Sequence, residues 1–478
     1  MTLAFLVGIP VFSGALALVV KGVRAHLAIL LCAAFAHAAL SAALWTGWVG
    51  KDLGTLLSID ETGLLFLSIT SALFLAASVY SVPYLTQGTH DAQASPSRFV
   101  PCLLWFLAAM TLVTTTQHLA LMWAAVEGTT LASAPLVYFY RRRASLEATW
   151  KYLLLCSVGI ALALLATFFL GIAATAVPSA GASFSLPVLV ENAPLMSRPW
   201  LETAFVLALV GYGTKMGLVP LHTWLPDTHS QAPSPVSALL SGALLNCAFL
   251  AVLRFYEVMV ASGNSELPRT LLLVLGFGSI GVASAFMLGQ VDLKRLLAYS
   301  SIENMGIAAV GMGLGGAASH GALLHAVNHS VCKAGLFFLA GNVLRAYGTT
   351  LAPEIKGVLG RIPRTGFLMM ILFLAIGGAP PFGTFWSELL IFRAALDGGH
   401  PWLGALFLGL IAFGFLAMGS VIIAMLQGRD DAGTPRPIER RLLLLPPLAM
   451  IALSLAMGLH IPEGLDALLR RAAEGLTP

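Results

Sequence analysis

The chain has 478 residues, of which 58% are hydrophobic and only 10% are charged, with a mean hydropathy of +0.88 and a formal net charge of +4. Soluble proteins carry about a quarter charged residues, so this composition excludes a water-soluble protein of this size. Apolar segments of about 20 residues, long enough to cross a bilayer, recur along the whole chain. Because lipid offers no partner to unpaired backbone groups, the sequence predicts an all-α polytopic membrane protein.

The apolar segments number about fourteen, and each is predicted to be a transmembrane helix. The first has no basic region ahead of it, so we expect a retained helix and not a cleaved signal peptide. A further short segment, 463–476, is predicted to form an amphipathic surface helix. In chain order the fourteen segments are centred in 2–20, 26–46, 62–84, 99–117, 118–140, 149–177, 201–226, 233–258, 268–290, 294–315, 320–345, 365–395, 402–427 and 441–461.

Lysine and arginine residues are distributed unequally between the two sides. Loops after even-numbered segments hold only Lys51, Arg198, Arg269 and Arg393, whereas loops after odd-numbered segments, with their edges, hold 17 of the 26. The positive-inside rule therefore predicts that the odd loops face the cytoplasm. The protein is expected in the inner (cytoplasmic) membrane of the cell, with both termini on its outer side. The seventeen are Lys21, Arg24, Arg98, Arg141, Arg142, Arg143, Lys151, Lys294, Arg295, Arg345, Lys356, Arg361, Arg364, Arg429, Arg436, Arg440 and Arg441.

Two pairs of matching strings indicate an internal repeat. Residues 220–227 read PLHTWLPD and residues 381–388 read PFGTFWSE, while 157–161 read SVGIA and 330–334 read SVCKA. Segments 4–8 and 9–13 would then be related five-helix units, and an odd number of helices gives successive units inverted topology. The predicted division is 1–98 for helices 1–3, 99–258 and 268–427 for the two repeats, and 441–478 for helix 14 and the tail.

Both of the longer repeated strings interrupt a predicted span, so helices 7 and 12 are expected to be broken. Pro220 follows an apolar helix, and Pro380-Pro381 comes just after Gly377-Gly378. Proline removes a backbone donor, and such breaks are tolerated at membrane depth only where they are packed in protein or line a wet cavity. Interrupted spans at corresponding positions predict a transport site.

Charged and titratable side chains within the spans are the candidate functional residues, because a charge at the bilayer centre costs about 3 kcal/mol even on the lenient insertion scale. They should face the bundle interior and find partners. They could also be buried ion pairs that only fix helix packing, and those near span ends could cap helices or snorkel. The proton-translocation candidates are Glu127, Lys215, His325, His329, Lys333 and Glu388, and the accessory candidates are Arg254, Glu303, Asp227 and His229.

Proton transfer is the chemistry that these residue types favour. A buried lysine beside a movable glutamate switches between holding and releasing a proton as the two charges approach or separate. Histidine titrates near neutrality with little tuning. His325, His329 and Lys333 follow at intervals of four, so they lie on one helix face over about 12 Å. They are predicted to form a relay, although either histidine could be a packing residue.

Cofactor and metal motifs are weak or absent in the sequence. The five cysteines are scattered and form no C-x-x-C, which argues against an iron–sulfur cluster or a zinc site. His222 and His229 lack an evident third ligand. GFGSIG at 276–281 fits G-x-G-x-x-G, but it lies within an apolar span, where glycines favour close helix packing over dinucleotide binding. We therefore expect no cofactor and no metal.

Four stretches carry a family resemblance. LVPLHTWLPDTHSQAPSPVSALL, DLKRLLAYSSIENMG, LLHAVNHSVCKAGLFFLAGNV and APPFGTFWSELL resemble the antiporter-like membrane subunits of respiratory complex I, Mrp-type cation/proton antiporters and membrane-bound hydrogenases. The resemblance covers roughly residues 60–430. Within the family, VYFYRRRASLEATWKYLLLCSVGIALALLATFFL, SSIENMG and FWSELLIF are most similar to the F subunit of hydrogenase-4-type complexes.

The resemblance implies fourteen core helices, two inverted five-helix repeats and a proton path along a polar axis at mid-membrane. It matches Glu127, Lys215, Lys333 and Glu388 to the family's ionizable positions in spans 5, 7, 11 and 12. Some members have lysine at the last of these positions. Several relatives have histidine where Ser241 stands, so this chain departs from them at that relay point.

The function expected from the resemblance is that of a proton-translocating, antiporter-like subunit of a hydrogenase-4-like or complex I-like membrane complex. The chain would hold no redox centre, and electron transfer would belong to other membrane subunits and a peripheral hydrogenase or iron–sulfur arm. Protons, with sodium as the alternative ion, and the lipid bilayer are the other expected partners, and nucleic acid is not one. The alternatives are an Mrp-type cation/proton antiporter subunit, a subunit that energizes inorganic carbon uptake, and a purely structural anchor.

Overall fold

The computed structural model describes residues 1–47, 50–54, 56–86, 96–175, 177, 183–428 and 437–477. These residues form helices joined by short connections, with one small hairpin in which β1 (Asp52–Leu53) pairs antiparallel with β2 (Leu57–Ser58). The helices are α1 (Thr2–Val19), α2 (Val23–Trp45), α3 (Glu61–Thr86), α4 (Pro96–Thr115), α5 (Leu119–Val137), α6 (Arg143–Ala174), α7 (Leu186–Asn192), α8 (Arg198–Met216), α9 (Trp224–Gln231), α10 (Ser234–Leu239), α11 (Leu245–Ala261), α12 (Glu266–Met287), α13 (Leu293–Leu314), α14 (Ala317–Tyr347), α15 (Val358–Arg361), α16 (Pro363–Ile376), α17 (Gly383–Asp397), α18 (Pro401–Leu426), α19 (Arg441–Leu459) and α20 (Glu463–Glu474).

Eleven helices among the described residues are long and apolar enough to cross a membrane, which confirms the all-α, multi-pass class. The other three predicted spans coincide with α8 and α9, with α13, and with α16 and α17. Two of these are broken into shorter helices, and α13 carries Lys294, Arg295 and Glu303 within one span length. The count of fourteen stays a prediction, because a broken or charged span is weaker by hydropathy than an unbroken apolar one.

The centre of the bundle is formed by α14 and by the continuous helical segment Ser234–Ala261, both of which are buried throughout their most apolar windows. A helix that is apolar on all sides is expected in such a position. α14 packs against α13, α16, α17 and α19, and against the first part of the Ser234–Ala261 segment, residues 234–244. The polar residues in the buried part of α14, among them His325, His329 and Lys333, are therefore enclosed by protein.

The Ser234–Ala261 segment contains a wide turn. Residues Leu240–Leu244 form a π-helix between α10 and α11. Such bulges re-aim side chains and are frequent at functional sites. Here the bulge contains Ser241, whose hydroxyl group lies 2.8 Å from that of Ser301 on α13.

Both predicted helix breaks are present. α8 ends at Gly217, which has a φ of 84°, and α9 begins at Trp224; α16 ends before Gly378, which has a φ of 72°, and α17 begins at Gly383. The peptide bonds that precede Pro220 and Pro381 are both cis. Side chains also hydrogen-bond to backbone carbonyl groups beside each break: Trp224 Nε1 donates to the Thr214 carbonyl at 2.8 Å, and Thr384 Oγ1 donates to that of Ala375.

The predicted tail helix is present as α20, but its apolar face does not lie against lipid. Leu468, Leu469, Ala472 and Ala473 are buried, and α20 packs against α3 and α14. The helix therefore covers the ends of other helices. Its amphipathic pattern is the same for either role, so the sequence pattern could not distinguish a protein surface from a membrane surface.

Arg429, Arg436 and Lys294 are three of the seventeen predicted loop cations. Arg429 and Arg436 lie outside the described residues. Lys294, which counts as a loop cation by its position at the edge of a span, is 1% exposed and donates from Nζ to the Ala232 carbonyl at 2.5 Å. It is thus a buried lysine of the bundle interior and adds nothing to the surface charge that the positive-inside rule measures.

Candidate functional site

The first group of buried polar residues is built around Lys215, in the last turn of α8. Its side chain is 0% exposed, and Nζ donates to Thr130 Oγ1 at 2.5 Å and to Tyr152 Oη at 3.0 Å. The ammonium group also lies 4.9 Å from the centre of the Tyr152 ring. The unpaired carbonyl groups at the C-terminal end of a helix stabilise a cation there. The end of α8, caused by the break at Gly217, thus suits this buried lysine.

Glu127 joins the same group from α5, but it does not contact Lys215 directly. Its carboxylate accepts hydrogen bonds from Thr130 Oγ1 at 3.2 Å and from Ser157 Oγ, on α6, at 3.1 Å. Thr130 Oγ1 therefore accepts from Lys215 and donates to Glu127. One hydroxyl group separates the acid from the base, so a small movement would bring the two charges together or apart.

The second group lies on α14, where His325, His329 and Lys333 are all 0% exposed. Lys333 Nζ donates to the Leu297 carbonyl of α13 at 3.1 Å. The ammonium group also interacts electrostatically with Glu303, on the same neighbouring helix. The predicted ladder is therefore placed in the protein interior and faces α13.

The two histidines of the ladder differ in their contacts. His325 Nδ1 lies 3.0 Å from Ser387 Oγ of α17, and Nε2 lies 3.1 Å from Asn304 Oδ1 of α13, so both ring nitrogens have partners. Neither ring nitrogen of His329 makes a hydrogen bond within the described residues, although the ring faces the backbone of Ser241. A buried imidazole without partners is costly to maintain. Such a group is available to hydrogen-bond with water or with a neighbour that moves.

Glu303 and Glu388 come from different helices but line one small cavity of about 20 Å³, together with Ser300 and Asn304. Glu303 is 7% exposed and accepts from Ser284 Oγ at 3.3 Å. Glu388 is 9% exposed and makes no hydrogen bond to the described residues. Sequence reasoning ranked Glu303 only as an accessory candidate, whereas the structure brings it next to Glu388.

One buried histidine lies between the first group and α14. His229, on α9, is 0% exposed, stacks on Phe337 with ring centres 4.8 Å apart and has no hydrogen bond to either ring nitrogen within the described residues. The ammonium groups of Lys294 and Lys333 both act on it electrostatically. His229 thus lies where the broken helix meets α13 and α14.

Asp227, the other accessory candidate on α9, lies at the edge of the bundle. It accepts from Lys151 Nζ of α6 at 3.1 Å and is also paired with the guanidinium group of Arg295 on α13. Lys151 is 47% exposed and Arg295 is 36% exposed, so solvent weakens these pairs. Asp227 therefore ties the short helix after the first break to one helix of each predicted repeat.

Arg254 belongs to a separate cluster. Its side chain is 1% exposed and holds Asp60, just ahead of α3, through two hydrogen bonds of 2.5 and 2.6 Å, with Glu257 at 3.4 Å. A bidentate pair of this kind fixes geometry strongly. The structure does not bring Arg254 together with the Lys215 or Lys333 groups, and its contacts are those of an ion pair that fixes α11 to α3.

Several contacting residues were not selected from the sequence. Serine, threonine and tyrosine are common in membrane helices, so Thr130, Tyr152 and Ser387 gave no signal beyond being polar within a span. Lys294 was detectable as the lysine of DLKRLLAYSS, but its place at a span edge suggested a loop. No group of three or more His, Cys, Asp or Glu side chains that could hold a metal ion occurs in the described part of the chain.

The arrangement as a whole is a series of buried or half-buried acids, bases and hydroxyl groups that runs from α5 and α8 through α9 and α14 to α17. Series of such residues in a membrane interior form the proton relays of pumps and transporters. The breaks in α8–α9 and α16–α17 lie next to the first and last members, Lys215 and Glu388. The fold and the site thus define a polytopic membrane protein of the ion- or proton-translocating kind.

Comparison with known proteins identifies the family. Residues 116–414 match the family described as "NADH:quinone oxidoreductase/Mrp antiporter, TM", and the chain belongs to it. The chain is 35% identical over 416 residues, 86% of each protein, to a hydrogenase-4 component F homolog of Methylacidiphilum infernorum. It is 30% identical over 375 residues to NADH-quinone oxidoreductase subunit N of Desulforudis audaxviator, covering 78% of this chain and 72% of that protein.

A solved structure supports the same fold. A chain of the membrane-bound sulfane sulfur reductase, an archaeal respiratory membrane complex, superposes with a TM-score of 0.87 over 99% of this chain and 97% of that one. The sequences of the two chains are only 20% identical, so this similarity concerns the fold alone. The family that the sequence motifs indicated is confirmed by the match over residues 116–414 and by the two sequence relatives.

Proposed function

We propose that the chain moves protons across the membrane as an antiporter-like subunit of a membrane-bound oxidoreductase complex of the hydrogenase-4 or complex I type. The observation that carries the proposal is the environment of Lys215: a fully buried ammonium group joined through one hydroxyl group to Glu127. A structural ion pair would gain most from direct contact of the two charges. The separation of Lys215 from Glu127 by one hydroxyl group instead favours two charges that move closer together and further apart.

In this proposal Glu127 and Lys215 are the switchable pair. With Glu127 near, Lys215 keeps its proton; with Glu127 away, the buried ammonium group is uncompensated and gives the proton up. The proton is received by the polar residues of α14, where His325, His329 and Lys333 form the relay. Glu388, beside the second helix break, is the last acid of the path.

His229 and Glu303 act as accessory groups in the same proposal. His229 is buried without a hydrogen-bond partner among the described residues and lies within electrostatic range of Lys294 and Lys333. This position suits transfer between the first group and α14. Asp227 positions the short helix that carries His229, and Arg254 has a packing role.

We infer that the two groups lie in related units, 99–258 and 268–427, of inverted topology. The support is that each unit contains one broken span, and that the two breaks carry matching sequence strings. Residues 1–98 and 441–478 would then surround the repeats. Inverted repeats of this kind place the transport site at the middle of the membrane.

We also infer that the protein resides in the cytoplasmic membrane with both termini outside. The distribution of lysine and arginine supports this orientation, since the loops after odd-numbered segments hold most of them. The correction for the buried Lys294 leaves sixteen against four, so the inference does not depend on that residue.

The expected partners are other membrane subunits and a peripheral arm that carries out electron transfer. The names of two relatives support this, since one is a hydrogenase-4 component homolog and the other a subunit of NADH-quinone oxidoreductase. Protons, and not electrons, would be the cargo of this chain.

Reconstitution of the complex that contains this chain into vesicles tests the proposal. Lys215→Ala and Glu127→Ala should each abolish proton movement across the vesicle membrane while the complex still assembles. Assembled complexes with normal proton movement in both variants would favour a structural anchor.

An antiporter subunit of the Mrp type is the second functional candidate. It would be favoured if proton movement by the wild type required a sodium gradient and persisted without any redox substrate.

A further inference from the structure

The cavity between α13 and α17 contains two carboxyl groups and no cationic side chain. Glu303 and Glu388 line it with the polar residues Ser300 and Asn304, and its other walls include Ile307, Phe373, Ile411 and Met418. Its volume of about 20 Å³ is enough for about one water molecule. Two acids therefore share a small and largely apolar space.

Each carboxylate of the pair is held against a glycine. A Cβ atom at Gly414, on α18, would overlap Glu303 Oε1, and a Cβ atom at Gly378, in the second break, would overlap Glu388 Oε2. Larger side chains at either position would fill the space that the acids occupy. The two carboxylates thus fit beside the cavity because Gly414 and Gly378 have no side chains.

The two acids differ in their partners. Glu303 accepts a hydrogen bond from Ser284 and interacts electrostatically with the ammonium group of Lys333. Glu388 has no hydrogen bond to the described residues, and the charged group that acts on it is Glu303 itself. His325 reaches the same helices but bonds to Ser387 and Asn304, and not to either carboxylate.

Two ionised carboxylates cannot share such a space without a large repulsion. Like charges a few ångströms apart in a low-dielectric site are stabilised when one proton is held between them, as in other buried acid pairs. Lys333 supplies one compensating charge, which is enough for one ionised carboxylate and not for two.

We propose that Glu303 and Glu388 form a proton-sharing acid pair, in which a single proton moves between a Glu303 oxygen and a Glu388 oxygen, directly or through one water. The step breaks one O–H bond and forms another, and no electron is transferred. With Lys333 protonated, Glu303 is the ionised member and Glu388 holds the proton. When the Lys333 proton passes to Glu303, both acids are protonated and Glu388 can release its proton outward.

This inference deepens the proposed function, because it names the group that receives the proton from Lys333. It predicts that the second half of the protein has its own glutamate–lysine pair, Glu303 with Lys333, as the first half has Glu127 with Lys215. It also explains how the chain operates with glutamate at 388, a position at which some members of the family have lysine.

Infrared difference spectroscopy of the intact, purified complex tests the shared proton without any transport measurement. The wild type should show the carbonyl band of a protonated carboxylic acid at neutral pH. Glu388→Gln should remove this band, and Glu303→Gln should shift it, because the proton then belongs to one acid alone. Glu257→Gln, which alters the ion-pair cluster on α11, is the control and should leave the band in place.

The inference is wrong if the wild type has no such band, if Glu388→Gln retains it, or if Glu303→Gln leaves its position and intensity unchanged. Each of these results would contradict the acid pair even if Lys215→Ala abolishes proton movement. The inference can therefore fail while the proposed function holds. Conversely, normal proton movement in Lys215→Ala would contradict the proposed function without altering the spectrum.

Glu388→Lys offers a second measurement if the glutamine variants do not assemble. A lysine at this position would pair with Glu303 across the cavity, so the amount of assembled complex should be close to that of the wild type. In a Glu303→Gln background the same lysine would be buried without a partner, and the amount should fall about fivefold or more. Equal amounts in the two backgrounds would overturn the pairing.

Discussion

Thr130 Oγ1 lies between Lys215 and Glu127: it accepts a hydrogen bond from Lys215 Nζ at 2.5 Å and donates one to Glu127 Oε2 at 3.2 Å. The hydroxyl group keeps the two charges close without letting them touch. In the proposed mechanism it therefore sets the distance on which switching of the pair depends.

Thr130→Val should slow proton translocation, because valine keeps the shape of threonine and removes the link between the charges. A hydrogen bond to a charged group is worth about 2 kcal/mol, which corresponds to roughly thirtyfold in rate if it is needed in the transfer step. Thr129→Val is the matched control, since Thr129 is equally buried and its hydroxyl donates only to the Val126 carbonyl. Equal rates in the two variants, measured in vesicles, would contradict a role for Thr130.

Tyr152→Phe should also impair translocation, since it removes the hydroxyl group that accepts from Lys215 at 3.0 Å and lies 2.7 Å from Ser133 Oγ, while the ring beside the ammonium group remains. The control is Tyr212→Phe. The Tyr212 hydroxyl is buried without a hydrogen-bond partner in the described structure, so its removal should be neutral or stabilising by about 1 kcal/mol. Proton uptake and thermal stability of both variants separate a functional loss from a structural one.

Gly414→Ala should displace Glu303, because the added Cβ atom would overlap its carboxylate and lie 2.8 Å from Ser284 Oγ. Overpacking of this kind costs about 1–3 kcal/mol. Gly409→Ala, on the same helix, meets no atom within 4 Å and should be stabilising by up to about 1 kcal/mol, since alanine favours the helix. Comparison of proton translocation and unfolding temperature in the two variants is the test. A normal translocation rate in Gly414→Ala would mean that Glu303 can be moved without consequence.

Asp60→Asn should reduce the stability of the protein without acting on the proton path. Arg254 would then be a buried cation with its strongest partner removed, which costs about 3 kcal/mol. Glu257→Gln should cost less, since Glu257 contacts Arg254 through one longer bond of 3.4 Å. Thermal unfolding of the purified complexes gives the order. A larger loss in Glu257→Gln than in Asp60→Asn would show that the ion pair with Asp60 is not what holds α3 to α11.

Most of the helices and both breaks were predictable from the sequence. A run of about 20 apolar residues has one stable conformation in lipid. Proline a few residues after glycine marks both breaks, although Pro10 lies inside the unbroken α1. The interpretation of GFGSIG as a packing motif also agrees with the structure: a Cβ atom at Gly276 would lie 2.9 Å from the Gly306 carbonyl, so α12 and α13 cross closely there. These features depend on local composition, which a single sequence contains.

The candidate site was predictable only as a set of residues, not as an arrangement. Glu303 and Glu388 share a cavity because α13 and α17 both border α18, and no periodicity relates positions on separate helices. Lys294 was assigned to a loop because hydropathy places span edges only within a few residues. Thr130 is a polar residue like many others, and only its contacts with Lys215 and Glu127 distinguish it.

The central claim is that Lys215 carries protons, and the most direct measurement is the number of protons moved per redox turnover by the reconstituted complex. Lys215→Ala should assemble and move no protons, whereas Lys356→Ala, which changes an exposed lysine, should match the wild type. An assembled Lys215→Ala complex with the wild-type number of protons per turnover would contradict the account.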